Sequence, residues 1–242
     1  MKKISLISAV LFISMAYGWS NANSNTTVPL IGTQAPSFTA ESTNGTINFP
    51  ADFGKSWKII FAHPKDFTPV CSSELLELAY EQESFDRLGA RLLVLSTDLL
   101  SQHFAWKTAL EEVSYKDRDP VRIKFPLIDD NRLSVSNKYG MIHPEAGIGV
   151  NIRGVYIIDP ENRVRAIYFY PNEVGRNIDE IKRSLIALQK TYTDRNVVTP
   201  ANWVPGDDLM VPVISAYERE NIGNPDSDLY QLSWCMTFRK EK

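Results

Sequence analysis

Residues 57–74 read Trp57-Lys-Ile-Ile-Phe-Ala62, then His63-Pro-Lys-Asp-Phe-Thr-Pro-Val70, then Cys71-Ser-Ser-Glu74. The first six residues predict a β-strand because they are largely apolar and rich in residues that favour strands. Residues 72–88 predict a helix, which Gly89 ends. The residues between them form a loop with two prolines. Cys71 is therefore expected where a strand passes through a short loop into the first turn of a helix.

The pattern downstream of this stretch alternates strands and helices. Residues 91–97 are nearly all apolar and predict a strand that is buried on both faces of a sheet. Two further strands are predicted at 153–158 and 163–170, joined by the turn Asp159-Pro-Glu-Asn162. A helix is predicted at 101–113, with Phe104, Leu110 and Val113 on one side. Another is predicted at 177–192, and its apolar residues form one stripe: Ile178, Ile181, Leu185, Leu188 and Tyr192.

This order predicts an α/β fold with a central mixed sheet flanked by helices, and it is similar to the thioredoxin fold. From residue 199 prolines and glycines interrupt the chain, and only the strand-like segment 229–234 stands out. The expected organisation is a removable segment 1–22, a main domain 23–198 and a small C-terminal arm, 199–242.

Composition excludes several classes of protein. With 26 Lys and Arg against 29 Asp and Glu, the chain has a net charge of −3 and no basic runs, so no nucleic-acid partner is expected. Its three histidines, His63, His103 and His143, are scattered and lack the spacing of zinc ligands, so no metal is expected. The two cysteines, Cys71 and Cys235, are too few for a disulfide scaffold.

The N-terminal residues predict export. Lys2 and Lys3 precede an apolar run, 4–16, and small residues follow at Ser20 and Ala22. This pattern is typical of a secretory signal peptide, and the run is short for a membrane span. We expect cleavage after residue 22, a periplasmic or secreted protein, and no stable membrane insertion.

The position of Cys71 favours a reactive thiol. Free cysteine is mostly protonated at neutral pH, but the unpaired N–H groups of a first helical turn favour the thiolate. Thr68, three residues earlier, is placed to direct its hydroxyl at the sulfur, and Pro64 to cover the pocket. The alternative interpretation is an inert, buried cysteine.

Pro64, Thr68 and Cys71 reproduce a Pro-x-x-x-Thr-x-x-Cys spacing that resembles the active-site motif of the peroxiredoxins. The longer string His-Pro-x-Asp-Phe-Thr-Pro-Val-Cys-x-x-Glu is similar to the one-Cys, or peroxiredoxin-6-type, subfamily. Arg153, the segment 170–177 with Arg176, and the segment 199–207 resemble further parts of that family.

The resemblance implies a thiol peroxidase that reduces hydrogen peroxide and organic hydroperoxides through a cysteine sulfenic acid, without a bound cofactor. Cys71 would be the nucleophile, with Thr68, Arg153 and Pro64 completing the catalytic set. His63 and Glu74 would line or orient the site. Arg176 would either support the site or form a dimer or surface ion pair. An external thiol reductant such as thioredoxin or glutathione, and a homodimer or higher homo-oligomer, would complete the system.

Cys235 has three interpretations: an inert side chain, a static disulfide partner of Cys71, or a resolving thiol for the sulfenic acid, acting across a dimer. Its apolar neighbours favour burial, whereas the basic residues after it favour a mobile tail. Two other function classes are alternatives to a peroxidase. A thiol–disulfide oxidoreductase would normally show Cys-x-x-Cys, but Ser72, Ser73 and Glu74 follow Cys71. A non-enzymatic binding module would not need Thr68 and Arg153.

Overall fold

The computed structural model describes residues 28–144, 147–224 and 226–241. The strands are β1 Phe38–Ala40, β2 Ile47–Phe49, β3 Trp57–Ala62, β4 Ala90–Ser96, β5 Leu127–Asp129, β6 Arg153–Ile158, β7 Val164–Tyr170, β8 Leu209–Met210, β9 Leu229–Ser233 and β10 Met236–Arg239. The helices are α1 Pro69–Arg87, α2 Leu100–Leu110, α3 Ser134–Lys138, α4 Ile178–Thr193 and α5 Ala216–Asn221, with a 3-10 turn at Ala51–Phe53.

A five-stranded mixed sheet forms the centre of the molecule, in the order β5-β4-β3-β6-β7. Strand β3 runs parallel to β4 and antiparallel to β6, and β6 and β7 form an antiparallel hairpin. All six residues of β3 are buried, because side chains of a central strand point alternately to two covered faces. The expected mixed sheet with flanking helices is confirmed.

The two faces of the sheet carry separate hydrophobic clusters. Ile59 and Phe61 of β3 join one cluster, together with residues of α1, α2 and α4. Ile60 and Ala62 join the other, which includes Phe38 and Phe49 of the β1–β2 hairpin and Val135 of α3. The sheet thus holds the N-terminal end of α1 against the ends of β3 and β6, where the site lies.

Two helices depart from the predicted pattern. Helix α1 begins at Pro69, three residues earlier than expected, because proline fits the first turn, where a backbone N–H is not needed. Helix α2 buries His103, Trp106 and Leu110, while Phe104 and Val113 are 48% and 38% exposed. Of the expected face, Leu110 is buried but Phe104 and Val113 are not, because His103, with two buried hydrogen-bond partners, occupies the inner surface.

The C-terminal arm contains a small three-stranded antiparallel sheet, ordered β8-β10-β9. Trp203 and Leu209 pack with Val197 and with Ala187 of α4 in a third cluster, so the arm is tied to the last helix of the main domain. Arg239 makes ion pairs with Asp194 and Glu218. The expected boundary at residue 199 stays a prediction.

The proposed signal peptide, residues 1–22, lies outside the described residues. Within the described ranges, no helix combines the length and the hydropathy needed to cross a lipid bilayer.

Candidate active site

Cys71 is the third residue of α1, and its side chain is 1% exposed. Residue Thr68 occupies the N-cap position with an extended backbone, and its carbonyl accepts the first helical hydrogen bond, from Ser72 N at 2.9 Å. The sulfur therefore lies within the first turn, where backbone N–H groups lack intrahelical acceptors and the helix dipole favours an anion. Cys71 is a free thiol.

Arg153, the first residue of β6, supplies a cation next to this sulfur. Its Nη1 lies 3.2 Å from Cys71 Sγ and donates to Glu74 Oε2 at 2.8 Å. Asn172 fixes another edge of the guanidinium. Its backbone carbonyl accepts from Nε at 2.9 Å and from Nη2 at 2.6 Å. The guanidinium is thus anchored at three points, with one donor directed at the sulfur.

Glu74, one turn after Cys71 on α1, joins the two arginines that the sequence singled out. Its carboxylate accepts Arg153 through Oε2 and Arg176 through both oxygens, with all three donor–acceptor distances between 2.8 and 2.9 Å. Burial by itself raises the pKa of Glu74, but the charges and hydrogen bonds of Arg176 and Arg153 outweigh it and hold the pKa below its ordinary value. Glu74 is therefore an anion that aligns both guanidinium groups.

Arg176 is buried, with its side chain 1% exposed, so it is part of the site within one chain rather than a surface ion pair. Besides Glu74, its Nη1 donates to the carbonyls of Ala62 and Gly154, at 2.8 Å each. These carbonyls belong to β3 and β6, so Arg176 links α1 to both strands that flank the site.

Thr68 makes a contact different from the expected one. Its hydroxyl donates to the carbonyl of Lys65 at 3.0 Å, so its single hydrogen is not directed at Cys71. The lone pairs of the same oxygen stay available as acceptors. Pro64 is buried in the loop. Phe67 has a φ of 57° and is 57% exposed, a left-handed conformation that is costly for a bulky residue and is often found at functional sites.

His63 is buried behind the loop and is bound to a carboxylate. Its Nε2 lies 2.9 Å from Asp66 Oδ1, and its ring packs against Trp106, with centroids 5.1 Å apart. Burial lowers the pKa of His63 below its ordinary value, despite the opposing effect of Asp66. His63 is thus an uncharged imidazole at neutral pH.

Sequence inspection missed Asp66 and His103. Asp66 Oδ2 lies 2.6 Å from His103 Nδ1, and both residues are buried. The order of the predicted strands could have pointed to them. The parallel strands β3 and β4 end at the same edge of the sheet, and Asp66 follows β3 in the sequence while His103 follows β4.

Cys235 is not buried, contrary to the expectation drawn from its apolar neighbours. It is exposed in the two-residue turn between β9 and β10, beside Trp234, which is 90% exposed, and its sulfur contacts Ser233 Oγ at 3.4 Å. Cys71 and Cys235 are both free thiols, so the structure does not contain the static disulfide between them. Of the basic residues that follow Cys235, Arg239 lies in β10.

In the described ranges no group of three or more His, Cys, Asp or Glu side chains is arranged to hold a metal ion. The site itself brings together a thiol, two guanidinium groups and a carboxylate.

Comparison with known proteins agrees with this constellation. Residues 31–167 match the AhpC/TSA family and residues 187–222 match the C-terminal domain of 1-Cys peroxiredoxin. A peroxiredoxin of Methanosarcina mazei is 44% identical over 217 residues, covering 88% of this chain and 99% of that protein. A 1-Cys peroxiredoxin of Dictyostelium discoideum is 40% identical over 186 residues, covering 76% of this chain and 74% of that protein.

Solved structures show the same fold. The chain resembles yeast mitochondrial 1-Cys peroxiredoxin with a TM-score of 0.77 and 33% identity, and peroxiredoxin 6 of Arenicola marina with a TM-score of 0.75 and 31% identity. Each match covers 88% of this chain and 99% of the other. A thiol–disulfide oxidoreductase and a non-enzymatic binding module are not favoured. The chain belongs to the AhpC/TSA family and, with its matching C-terminal domain, to the 1-Cys peroxiredoxins, thiol-dependent peroxidases of antioxidant defence.

Proposed function

We propose that Cys71 is the thiol that peroxide oxidises and that Arg153 is its main activating group. The observation that carries this proposal is the 3.2 Å contact between Arg153 Nη1 and Cys71 Sγ, within the first turn of α1. A permanent cation and a helix N-terminus both favour the thiolate, which is the nucleophilic form.

The reaction is a displacement at oxygen. The Cys71 thiolate attacks one peroxide oxygen, the O–O bond breaks, and the sulfur retains that oxygen as a sulfenic acid. The second oxygen leaves with the electron pair of the broken bond and takes up a proton to become water or an alcohol. Negative charge builds on the leaving oxygen, so a fixed guanidinium next to the sulfur lowers the barrier, as donors do in an oxyanion hole.

The supporting residues have distinct roles in this proposal. Thr68 accepts a hydrogen bond from the peroxide O–H, because its own hydrogen is donated to Lys65. Pro64 shields the thiolate from water. Glu74 and Arg176 align Arg153, and His63 forms an uncharged part of the wall.

A stopped-flow experiment tests this assignment. Wild-type protein should lose its thiolate orders of magnitude faster than a free thiol on mixing with hydrogen peroxide at neutral pH. Cys71→Ser should abolish peroxide turnover while circular dichroism shows an intact fold, and Cys235→Ser, the matched control, should retain the fast first step. Turnover in folded Cys71→Ser would assign the nucleophile elsewhere.

We infer that an external thiol, either a small molecule such as glutathione or a protein such as thioredoxin, supplies the electrons that return oxidised Cys71 to the thiol. In support, a structural neighbour, yeast mitochondrial 1-Cys peroxiredoxin, is described as resolved through glutathione and thioredoxin systems. Cys235 is the candidate resolving thiol within the protein. Its exposure at a hairpin tip supports this role, since attack on a sulfenic acid requires an accessible thiol.

We also propose a homodimer. Strand β7 lies at an edge of the central sheet, is seven residues long and exposes part of nearly every side chain. Unpaired edges of this length tend to pair with another strand, and two copies of β7 would pair about a two-fold axis. Sedimentation equilibrium should give twice the chain mass, and a monomer at micromolar concentration would contradict it.

Export is proposed from residues 1–22 alone, whose basic start, short apolar run and small-residue exit are those of a signal peptide. The enzyme would then act in the periplasm or outside the cell.

A further inference from the structure

A chain of three buried ionisable side chains runs behind the site and ends on the backbone. His63 Nε2 lies 2.9 Å from Asp66 Oδ1, and Asp66 Oδ2 lies 2.6 Å from His103 Nδ1. His103 Nε2 in turn lies 3.0 Å from the carbonyl oxygen of Ile128. The three side chains are 3%, 1% and 0% exposed. Burying such groups is costly unless each hydrogen bond is made, so the arrangement fixes where the protons are.

The proton positions follow from the far end of this chain. A carbonyl only accepts, so His103 Nε2 carries a hydrogen and donates it to Ile128. The bond between His103 Nδ1 and Asp66 then needs a second hydrogen, on the nitrogen or on the carboxyl. Burial raises the pKa of Asp66, but hydrogen bonds from His103 and His63 outweigh it and lower the pKa to about 2. With the carboxylate ionised, both Asp66 and the Ile128 carbonyl act as acceptors, so the two contacts of His103 each require a hydrogen on the ring nitrogen that makes them.

His63 is left with one arrangement. With Asp66 as an acceptor, the hydrogen of His63 lies on Nε2, and the neutral ring keeps an unprotonated Nδ1. The other charged group acting on His63 is Arg176, which opposes its protonation, as does His103. Trp106, which packs on the ring, is uncharged and donates its own N–H to Ser72 Oγ at 3.2 Å, next to Cys71.

The groups around Asp66 support a positive His103. Asp98, also buried, accepts the backbone N–H of Asp66 at 2.7 Å and the hydroxyl of Ser96 at 3.0 Å, and Ser96 Oγ lies 3.3 Å from Asp66 Oδ1. The carboxyl groups of Asp66 and Asp98 thus lie close together. A cation at His103 offsets their repulsion.

We propose that His103 is a positioning residue of the peroxidase site: acting through Asp66, it holds His63 as an uncharged imidazole with its hydrogen on Nε2. The positive charge that contacts Cys71 and Glu74 then comes from Arg153 and Arg176. Burial is the main cause of the lowered pKa of His63, and the charge of His103 lowers it further. Removing that charge therefore lets His63 take up a proton more readily, which would add a cation beside Arg176.

Nitrogen-15 NMR of the histidine rings tests this directly, because the chain has only three histidines and single variants assign each one. In the wild-type protein at pH 7, His103 should show hydrogens on both ring nitrogens and His63 only on Nε2. In His103→Gln, which keeps an amide donor for Asp66 but not the charge, the titration midpoint of His63 should rise by about one pH unit or more. His143→Gln is the matched control, because His143 also contacts a backbone carbonyl, that of Gly140, and should leave His63 unchanged.

The kinetic consequence is a new pH dependence. The rate of Cys71 oxidation in His103→Gln should gain an inflection at the His63 midpoint that NMR measures, and the wild type should lack it. The kinetic measurement rests on the proposed role of Cys71, whereas the NMR spectra of the histidine rings do not. A failure of the proposed function and a failure of this inference can therefore be told apart. One ring hydrogen on wild-type His103 at pH 7 would refute the proposal even if the variant does not fold. An unchanged His63 midpoint in folded His103→Gln would refute it as well.

Discussion

Arg176 binds Glu74 at both carboxylate oxygens, with Nε donating to Oε1 at 2.9 Å and Nη2 donating to Oε2 at 2.8 Å. A backbone N–H of Arg176 adds a third bond to Oε1 at 2.8 Å. Such a two-point contact fixes the plane of the carboxylate as well as its position. Glu74 is thereby turned so that Oε2 also accepts from Arg153, which in turn contacts the sulfur.

Glu74→Gln should therefore weaken both stability and catalysis. The amide keeps the volume but leaves two buried guanidinium groups without an anion, and breaking a buried pair of this kind costs about 3–5 kcal/mol of the free energy of unfolding. Urea denaturation measures the loss. Glu77→Gln is the control on the same helix, since Glu77 pairs with Lys116 and Arg118 near the surface and should cost less than about 1 kcal/mol. Equal losses in the two variants would contradict the role given to Glu74.

Arg153→Lys should slow the oxidation of Cys71 by roughly 100-fold, the scale for losing one positioned donor at a developing anion. Lysine keeps the charge, but a single ammonium cannot contact Cys71, Glu74 and the Asn172 carbonyl in the same geometry. Stopped-flow oxidation by hydrogen peroxide measures the rate constant, and Arg163→Lys, an exposed change, should match the wild type. A wild-type rate in Arg153→Lys would make Arg153 a structural residue.

Stability should fall in acid through Asp66. Its pKa is about 2 in the folded protein against an ordinary 3.8, so the unfolded chain binds the proton more readily. The stabilisation is present above about pH 4 and is lost as the pH falls towards 2, and it amounts to about 2 kcal/mol. Urea midpoints between pH 2 and pH 5 measure the slope. Other carboxylates contribute too, so the comparison is with Asp66→Asn, whose slope should be shallower; identical slopes would exclude Asp66 as a source.

One equivalent of peroxide should produce a covalent dimer that links residues 71 and 235 and that dithiothreitol reverses. Cysteine Cα atoms must approach within about 7 Å for a disulfide, and Cys235 lies at an exposed turn, so a second chain offers the route. A non-reducing gel and peptide mapping detect the bond. Cys235→Ser should keep the first oxidation fast but form no covalent dimer, so that Cys71 stays a sulfenic acid until an added thiol reduces it directly. Oxidised Cys71 with Cys235 still alkylatable would show that resolution is entirely external.

Protein recovered from its native host should begin near Asn23, because the predicted cleavage follows Ala22. N-terminal sequencing of the purified protein checks this. A soluble cytoplasmic protein that begins at Met1 or Lys2 would contradict export.

The sequence predicted the sheet and the reactive cysteine because both depend on local signals. Strand β3 was predicted with its observed bounds, since an apolar run between turn residues needs no tertiary information. The Pro64–Thr68–Cys71 spacing likewise fits within one loop and one helical turn. The face of α2 could not be predicted in the same way: hydrophobic periodicity favoured Phe104, whereas the buried residue is His103, which satisfies its two ring nitrogens with partners far away in sequence.

Long-range contacts explain the other differences. Arg176 could not be separated from a surface ion pair until α4 and β6 brought it to Glu74. The exposure of Cys235 arises because β9 and β10 form a hairpin with Cys235 in its turn. The strand-like segment 229–234 does not by itself reveal that hairpin. The hydroxyl of Thr68 donates to the carbonyl of Lys65, a contact that the spacing of Thr68 and Cys71 does not reveal.

The groups that activate the thiol come from distant parts of the chain: Cys71 and Glu74 from α1, Arg153 from β6 and Arg176 from the turn before α4. During synthesis the cysteine is made before both arginines, 82 residues ahead of Arg153, and until Arg153 is added it has neither guanidinium beside it. A ribosome-bound fragment that ends before β6 would therefore react with peroxide no faster than a small-molecule thiol. Peroxidase reactivity is thus gained late, when the hairpin of β6 and β7 is added to the sheet, which protects the unfinished chain from oxidation at its own nucleophile.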